Sequence, residues 1–338
     1  MEFTARLEQI TSGSHLDKAQ ASEMISAIMN GELTPAQTAA LLIALKTKGE
    51  TVEEIVGAAE SMRRHAVPFA SSQTGILDTC GTGGDRSGTF NLSTTAAFVA
   101  AGAGIPVAKH GNRSASSRCG SIDLLEQLGV NIQLDPARLG ACLDAVGLCI
   151  LFARVVHPAM RHAAPIRSEL GVRTIFNWLG PLTNPARPAF QLVGIGTRTH
   201  LETYAQCLQQ LGIQRAWVVA SEDGLDEITL TGRTAVMEVT PDSITPHMLA
   251  PEDAGFSPCR LQELLGGAPE ENARITLDLL EGNEKGPKRD TLLLNAGAAI
   301  TIAGRAVTLQ EGVEKARDSL ESGQARRVLD RLIEFTHS

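Results

Sequence analysis

Asp78-Thr79-Cys80-Gly81-Thr82-Gly83-Gly84-Asp85 follows the apolar run Ile76 to Thr79 and leads within a few residues into Asn91-Leu92-Ser93-Thr94, which opens a helical stretch. The order strand, glycine loop, helix start is the building unit of a parallel α/β sheet. Glycines let backbone N–H groups approach a phosphate closely, and the helix start adds positive potential, so the unit also reads as an anion site. A plain strand-to-helix turn is the alternative. The glycine spacing matches neither the dinucleotide fingerprint nor the Walker pattern, so a nicotinamide or ATP role gains nothing from it.

The next apolar run, Pro106 to Ala108, leads into Lys109-His110-Gly111-Asn112-Arg113-Ser114-Ala115-Ser116-Ser117-Arg118-Cys119-Gly120-Ser121, and a helix is expected over Asp123 to Leu128. Lysine, arginines, serines and glycines concentrated between two fixed elements point to an anion rather than to a solvated loop. Two such loops at the ends of adjacent parallel strands lie side by side, where open sheets bind ligands. Together they suit a ligand with phosphate at both ends.

Further out, the runs Cys149 to Phe152, Leu192 to Ile195 and Ala216 to Ala220 alternate with helical stretches, which implies a largely parallel sheet. The first seventy residues have a different grammar. Thr34-Pro35-Ala36-Gln37 combines an N-cap, a first-turn proline and a capping-box partner; Thr51-Val52-Glu53-Glu54 repeats the box, and Gly31 and Gly49 suit the preceding helix ends. Ala39, Leu41, Leu42 and Leu45 recur at helical spacing, as in a small bundle. Met160 to Leu182 is helical again and interrupts the α/β alternation, so a return to the bundle is expected. The resulting architecture is α/β: a small helical domain over 1–70 with a return segment at about 160–187, on a larger domain over 71–338 with a mostly parallel sheet and a cleft between them.

Composition limits the partners. The chain has 338 residues, 43 % of them apolar, and a formal charge of −8. That balance disfavours general binding to nucleic acid, which needs an excess of Lys and Arg. Six scattered cysteines without C-x-x-C or metal spacing indicate reduced thiols in a cytoplasm, not a disulfide framework or a zinc site. The N-terminus lacks a basic-then-apolar signal pattern, and the apolar stretches near Ala96 to Ala108 and Leu292 to Gly304 are too short and glycine-rich to span a bilayer.

The segments GTGGD, NxST, KHGNRxxSSxxGSxD and HPAMxHxxPxRxELGxRTxFNxLGPLxNP, with the pair Asp226-Glu227, occur in the order and spacing of the anthranilate phosphoribosyltransferases, and from Asp78 to Glu227 the chain resembles that family. Two positions depart from the pattern: Arg154 stands where the family usually has proline, and Ile122 where it usually has a small residue. The resemblance implies the nucleoside phosphorylase/phosphoribosyltransferase fold type and a homodimer formed through the helical domains. It also implies Mg2+-dependent transfer of phosphoribose from phosphoribosyl pyrophosphate (PRPP) to anthranilate, in tryptophan biosynthesis. By the same resemblance, Gly81, Gly84, Asp85 and Thr89 line the pyrophosphate end of PRPP, and Asn91, Leu92, Ser93 and Thr94 continue along the helix start. Lys109, His110, Gly111, Asn112, Arg113, Ser114, Ala115, Ser116, Ser117 and Ser121 wrap its remaining phosphate and ribose oxygens. Ser93, Asp226 and Glu227 hold the metal, a hard oxygen set of the kind Mg2+ prefers. Arg167 takes the anthranilate carboxylate, with Gly81 and Asn112 near the amine. Taken alone, Asp223-Gly224-Leu225-Asp226-Glu227 is an acidic surface turn, and Arg167 is a partner for Glu169 or a helix cap. Two rival readings are a pyrimidine nucleoside phosphorylase and a non-catalytic nucleic-acid-binding relative. The acidic pair and the long HPAM-to-LGPLTNP stretch oppose the first, and the net charge opposes the second.

Overall fold

The computed structural model describes residues 3–83, 87–114 and 118–338. Four helices open the chain: α1 (Phe3–Thr11), α2 (Lys18–Met29), α3 (Pro35–Lys48) and α4 (Val52–Arg64). The caps anticipated from sequence are formed. Thr34 and Thr51 each accept the N–H three residues on while Gln37 and Glu54 return to the cap backbone, and Gly49 ends α3 at φ 89°. Glu54 does more than cap. Fully buried, it accepts the Leu16 N–H at 2.9 Å, the Thr51 N–H at 2.8 Å and Lys48 Nζ at 2.8 Å, so one carboxylate ties the α1–α2 link to α3 and α4.

The strands are β1 (Leu77–Gly81), β2 (Val107–Gly111), β3 (Leu148–Phe152), β4 (Phe190–Gly194), β5 (Arg215–Ser221), β6 (Thr234–Val239) and β7 (Ile244–Leu249), in the order β3-β2-β1-β4-β5-β6-β7. The five anticipated strands pair in parallel, whereas β6 and β7 are antiparallel additions at one edge. Parallel strands are covered on both faces and read as apolar runs, as in the wholly buried Leu148–Phe152. The edge strand β7 is largely exposed and carries Pro246, which only an edge tolerates; its sequence therefore lacks the run that marks the others.

Between and after the strands come α5 (Leu92–Gly102), α6 (Ser121–Gln127), α7 (Leu139–Val146), the one-turn α8 (Ala153–Val156), α9 (Ala164–Leu170), α10 (Phe176–Leu182), α11 (Leu201–Gln210), α12 (Pro269–Leu280), α13 (Pro287–Ile302), α14 (Leu309–Glu321) and α15 (Gln324–His337). The sheet divides two cores. Along β5, Trp217 and Val219 face the core shared with α5 and α12 to α15, while Ala216, Val218 and Ala220 face the core shared with α11 and the N-terminal bundle. The bundle thus has no core of its own separate from the sheet. The segment that returns to it does so through Ala163, Ile175, Phe176, Leu179 and Leu182, which join that same core. Arg63 Nε on α4 donates to the Leu182 carbonyl at 2.7 Å, and Tyr204 Oη on α11 donates to the Trp178 carbonyl at 3.0 Å, so both sides of the return are pinned. Among the described residues no helix is long and apolar enough to cross a membrane.

Replacing Glu54 with alanine takes the carboxylate from a nearly buried ammonium, since the Lys48 side chain is only 4 % exposed and its other contacts, the Gly49 carbonyl and the His15 ring, carry no negative charge. Breaking a buried pair in this way costs about 3–5 kcal/mol. The fall should appear in the urea unfolding midpoint; a loss below about 1 kcal/mol, the range of exposed pairs, would show that Glu54 does not join the helices as described.

Candidate active site

The site begins at the carboxyl ends of β1 and β2. Asp78, fully buried within β1, accepts the His110 N–H at 3.2 Å through Oδ1, and Asn184 Nδ2 at 2.9 Å and Cys80 Sγ at 3.3 Å through Oδ2. Asn184 Nδ2 also donates to the Ala108 carbonyl at 2.8 Å. One buried cluster therefore locks β1, β2 and the chain after α10 inside the sheet, ahead of the Gly81 and Gly111 ends where the loops leave it. Burial and the adjacent Asp78 charge push the Cys80 thiol well up, so it is no thiolate nucleophile.

Lys109, 2 % exposed, donates to the Thr79 carbonyl, which directs its charge to the end of β1. His110 points the other way, as strand alternation requires, and Nδ1 meets the Gly180 carbonyl of α10 at 2.9 Å. Its ring stands edge-on to His157, 5.1 Å between centroids. Burial lowers the pKa of both, that of His157 to about 3, with the His110 charge adding to the effect there. Both rings are accordingly neutral near pH 7, and among the described residues neither Nε2 has a hydrogen-bond partner.

The acidic turn after β5 meets the first loop. Gly224 takes φ 88°, and Ser221 Oγ donates to the Leu225 carbonyl at 2.9 Å, which closes the turn just ahead of Asp226 and Glu227. Gly83 N donates to Asp226 Oδ2 at 3.0 Å, and Ser93 N, in the first turn of α5, donates to Glu227 Oε1 at 3.3 Å. Two glycines permit the approach. A Cβ on Gly81 would stand 2.4 Å from Asp226 Oδ2, and one on Gly194 would stand 1.4 Å from the Asp226 carbonyl oxygen. Ser93, Asp226 and Glu227 line one cavity with Thr79, Cys80 and Asn295. The three residues singled out as metal ligands are thus brought together, although the sequence of the turn by itself suggests a solvated surface. Among the described residues no group of three or more His, Cys, Asp and Glu forms a cage for a metal.

Other residues named from sequence also make contacts within the fold. Thr89 makes an isolated bridge with Leu265, Leu92 and Thr94 are buried in the core, and Asn91 joins the Cys119 carbonyl at 3.2 Å to Asn272 Nδ2 at 2.9 Å. In the second loop, Arg113 is committed to Asp123 at 2.9 Å and to Glu126 at 2.6 and 2.7 Å, so its guanidinium faces two carboxylates. Asp123 also accepts the N–H groups of Ser114 at 3.1 Å and Gly120 at 2.9 Å. Burial alone would raise its pKa, but those two N–H groups and Arg113 outweigh this and hold it below the usual carboxylate range. Ser121 Oγ donates to the Asn112 carbonyl at 3.1 Å over Gly111, whose Cβ would meet that hydroxyl at 2.4 Å, and Asn112 Oδ1 accepts the Arg113 N–H at 2.8 Å. Ile122 is fully buried in α6. Gly84, Asp85, Ala115, Ser116 and Ser117 lie outside the described residues.

Arg167, on α9, lies over the Phe176 ring at 5.2 Å, and burial lowers its pKa. Among the described residues it makes no ion pair with Glu169, and it stands in the last turn of α9, where a cation suits the helix end. Sequence reasoning passed over Asp78, Asn184, Asp123 and Asn295. A polar residue inside an otherwise apolar strand or helix is the signal for Asp78 and Asn295; Asn184 and Asp123 sit among other polar residues and give none.

Residues 73–326 match the model of the glycosyl transferase family a/b domain, and residues 5–66 match that of the glycosyl transferase family helical bundle domain. The anthranilate phosphoribosyltransferase of Symbiobacterium thermophilum is 51 % identical over 333 residues, 98 % of this chain and 97 % of that protein. The chain belongs to the anthranilate phosphoribosyltransferase family. Among solved structures, the anthranilate phosphoribosyltransferase of Thermus thermophilus superposes with a TM-score of 0.94 at 46 % identity, covering 98 % of this chain and 99 % of that one. The Saccharomyces cerevisiae enzyme, solved in complex with PRPP and Mg, gives 0.92 at 26 % identity over 99 % and 98 %. As a family member the chain is a phosphoribosyltransferase of tryptophan biosynthesis.

A histidine held neutral in the fold but charged when unfolded contributes stability above the unfolded value, near 6.5, and that stability drains as pH falls toward the folded value of about 3 for His157. The unfolding free energy should therefore decline by about 1.4 kcal/mol per pH unit for that group below pH 6.5. His157→Gln should flatten the slope in urea titrations at pH 7, 6 and 5; an unchanged slope would mean that His157 is charged in the fold.

Proposed function

We propose that the ends of β1, β2 and β5 form one PRPP site that works with Mg2+, and that Arg167 across the cleft recruits anthranilate. The observation that carries the reading is the convergence of Ser93, Asp226 and Glu227 on one cavity at the N-terminus of α5. Their fit to Mg2+ rests on donor chemistry: all are hard oxygen donors, and two carboxylates leave coordination positions for substrate phosphate oxygens. Mg2+ held there would offset the charge of the departing pyrophosphate.

The remaining work falls to the chain. Gly81, Gly83 and the start of α5 give backbone close access to phosphate, and the helix adds positive potential. Lys109 supplies a fixed, buried cation at the junction of the two loops. The loop from Lys109 to Ser121 wraps the other phosphate and ribose, its shape set by Arg113 and Asp123 more than by charge offered to the ligand. Arg167 has a desolvated guanidinium beside an aromatic ring, which suits a flat carboxylate. In the reaction the C–O bond from ribose to pyrophosphate breaks with the electron pair leaving on pyrophosphate, the amine nitrogen bonds to that carbon, and the proton the amine gives up passes to the departing pyrophosphate or to solvent. An aromatic amine is neutral at pH 7, so no strong base is needed, in keeping with the lowered pKa of His110 and His157, which makes both weak bases. Binding both substrates across the cleft supplies proximity. The six free thiols support a cytoplasmic setting, and we extend to this chain the homodimer that its family resemblance implies.

Mixing the protein with PRPP, Mg2+ and anthranilate should abolish anthranilate fluorescence and release pyrophosphate. Phosphorolysis of a pyrimidine nucleoside without such loss would contradict the reading. Charge-assisted hydrogen bonds contribute about 1.5–3 kcal/mol, so Arg167→Ala should lower kcat/KM for anthranilate by roughly 10- to 150-fold. Aniline, which lacks the carboxylate, should be a poor substrate that loses little more in the variant. Equal losses for both amines would make Arg167 structural.

A further inference from the structure

Helix α13 carries one amide in an apolar stretch, Leu292-Leu293-Leu294-Asn295-Ala296. Asn295 is 3 % exposed. Its Oδ1 accepts the Ile228 N–H at 3.1 Å, and its Nδ2 donates to the Ile228 carbonyl at 2.7 Å and to the Thr291 carbonyl of its own helix at 2.9 Å. An amide that satisfies both the N–H and the C=O of one distant residue fixes that residue in distance and in orientation. Ile228 immediately follows Asp226-Glu227, and Asn295 lines the same cavity as both acids and Ser93. On the other side of the pair, the Asp226 backbone rests against Gly194, too close for any Cβ. The acidic segment is thereby held at both ends, with Glu227 between the two points.

We propose that Asn295 is a positioning residue for this acidic pair: it fixes the backbone at Ile228 so that the carboxylates of Asp226 and Glu227 are presented to the β1 loop and the start of α5. The inference rests on the reading that this pair holds Mg2+ with PRPP. Packing of α13 does not by itself require the grip on Ile228, because any side chain of suitable volume fills a buried helix position. The double contact satisfies the buried N–H and C=O of Ile228 and in doing so sets the orientation of the acidic segment. A partner that orients a metal ligand typically changes affinity by about 10- to 100-fold when removed.

Calorimetric titration of PRPP with Mg2+ into the full chain, without anthranilate so that nothing turns over, tests this. Asn295→Ala should weaken binding by about 10- to 100-fold and raise the Mg2+ concentration for half-maximal activity, with KM for anthranilate little changed. Thr301→Ala is the control. Thr301 is 2 % exposed on the same helix, and its hydroxyl donates to the carbonyls of Gly297 and Thr308, away from the acidic turn. That variant should lose thermal stability and keep wild-type affinity. If Asn295→Ala does not fold, Asn295→Asp serves: it keeps the volume and the acceptor but sets an oxygen against two carbonyls, and it should also weaken binding. Wild-type affinity in the folded Asn295 variant, or an equal loss in Thr301→Ala, would overturn the proposal. Asp226→Ala in the same titration separates the two levels of the argument, because wild-type affinity there would overturn the metal reading itself.

Discussion

The buried carboxylate of Asp78 is the constraint around which the site is organised. A charge at zero exposure must be met by donors, since leaving one unmet costs far more than a hydrogen bond returns. Here the donors come from three places: the His110 backbone on β2, the Asn184 amide beyond α10, and the Cys80 thiol on β1 itself. Satisfying Asp78 therefore sets the glycine loop, the basic loop and the returning segment relative to one another. Asn184 reinforces this by also reaching the Ala108 carbonyl on β2. Lys109, next along β2, reaches the Thr79 carbonyl beside it, so the cation of the second loop lies against the strand that feeds the first.

A second constraint is electrostatic. The chain is acidic overall, at −8, yet its site places two carboxylates at positions where backbone N–H groups concentrate positive potential. Asp226 at Gly83 and Glu227 at the first turn of α5 are thus compensated by the fold, and their approach depends on the missing side chains of Gly81 and Gly194. The single core shared by bundle, α11 and one face of the sheet ties the returning segment to this arrangement. Phe176, part of that core, is the ring on which Arg167 lies. The position of this cationic group is therefore a packing consequence and not a loop accident.

Much of this was legible in the sequence wherever local rules decide structure. Thr34 and Thr51 signalled their capping boxes, and the apolar runs marked β1 to β5, because capping and two-faced burial leave local traces. The edge strand β7 was not legible, since an exposed edge carrying Pro246 has no apolar run to read, and β6, with Thr234 at its start and Glu238 near its end, offers only a short one. In the site, the two loops were visible from their glycines and charges. The acidic pair was not: Asp226 and Glu227 look like solvated turn residues, and only the resemblance to a family singled them out. Arg113 shows the opposite limit. Its place in a basic loop suggests a ligand, and spacing gives no sign that Asp123 and Glu126, ten and thirteen residues further on, also engage its guanidinium. Which partner a side chain takes is decided by tertiary contacts that spacing does not encode.

The account stands most directly on the claim that the three strand ends and the acidic turn make a single metal-and-PRPP site. Crystals of the protein grown with PRPP and Mn2+ in place of Mg2+ would test it through anomalous diffraction at the manganese edge. The account predicts an anomalous peak within coordination distance of the Asp226 or Glu227 carboxylate, with pyrophosphate oxygens between it and the start of α5. A peak elsewhere, or PRPP bound away from the β1 and β2 ends, would contradict it.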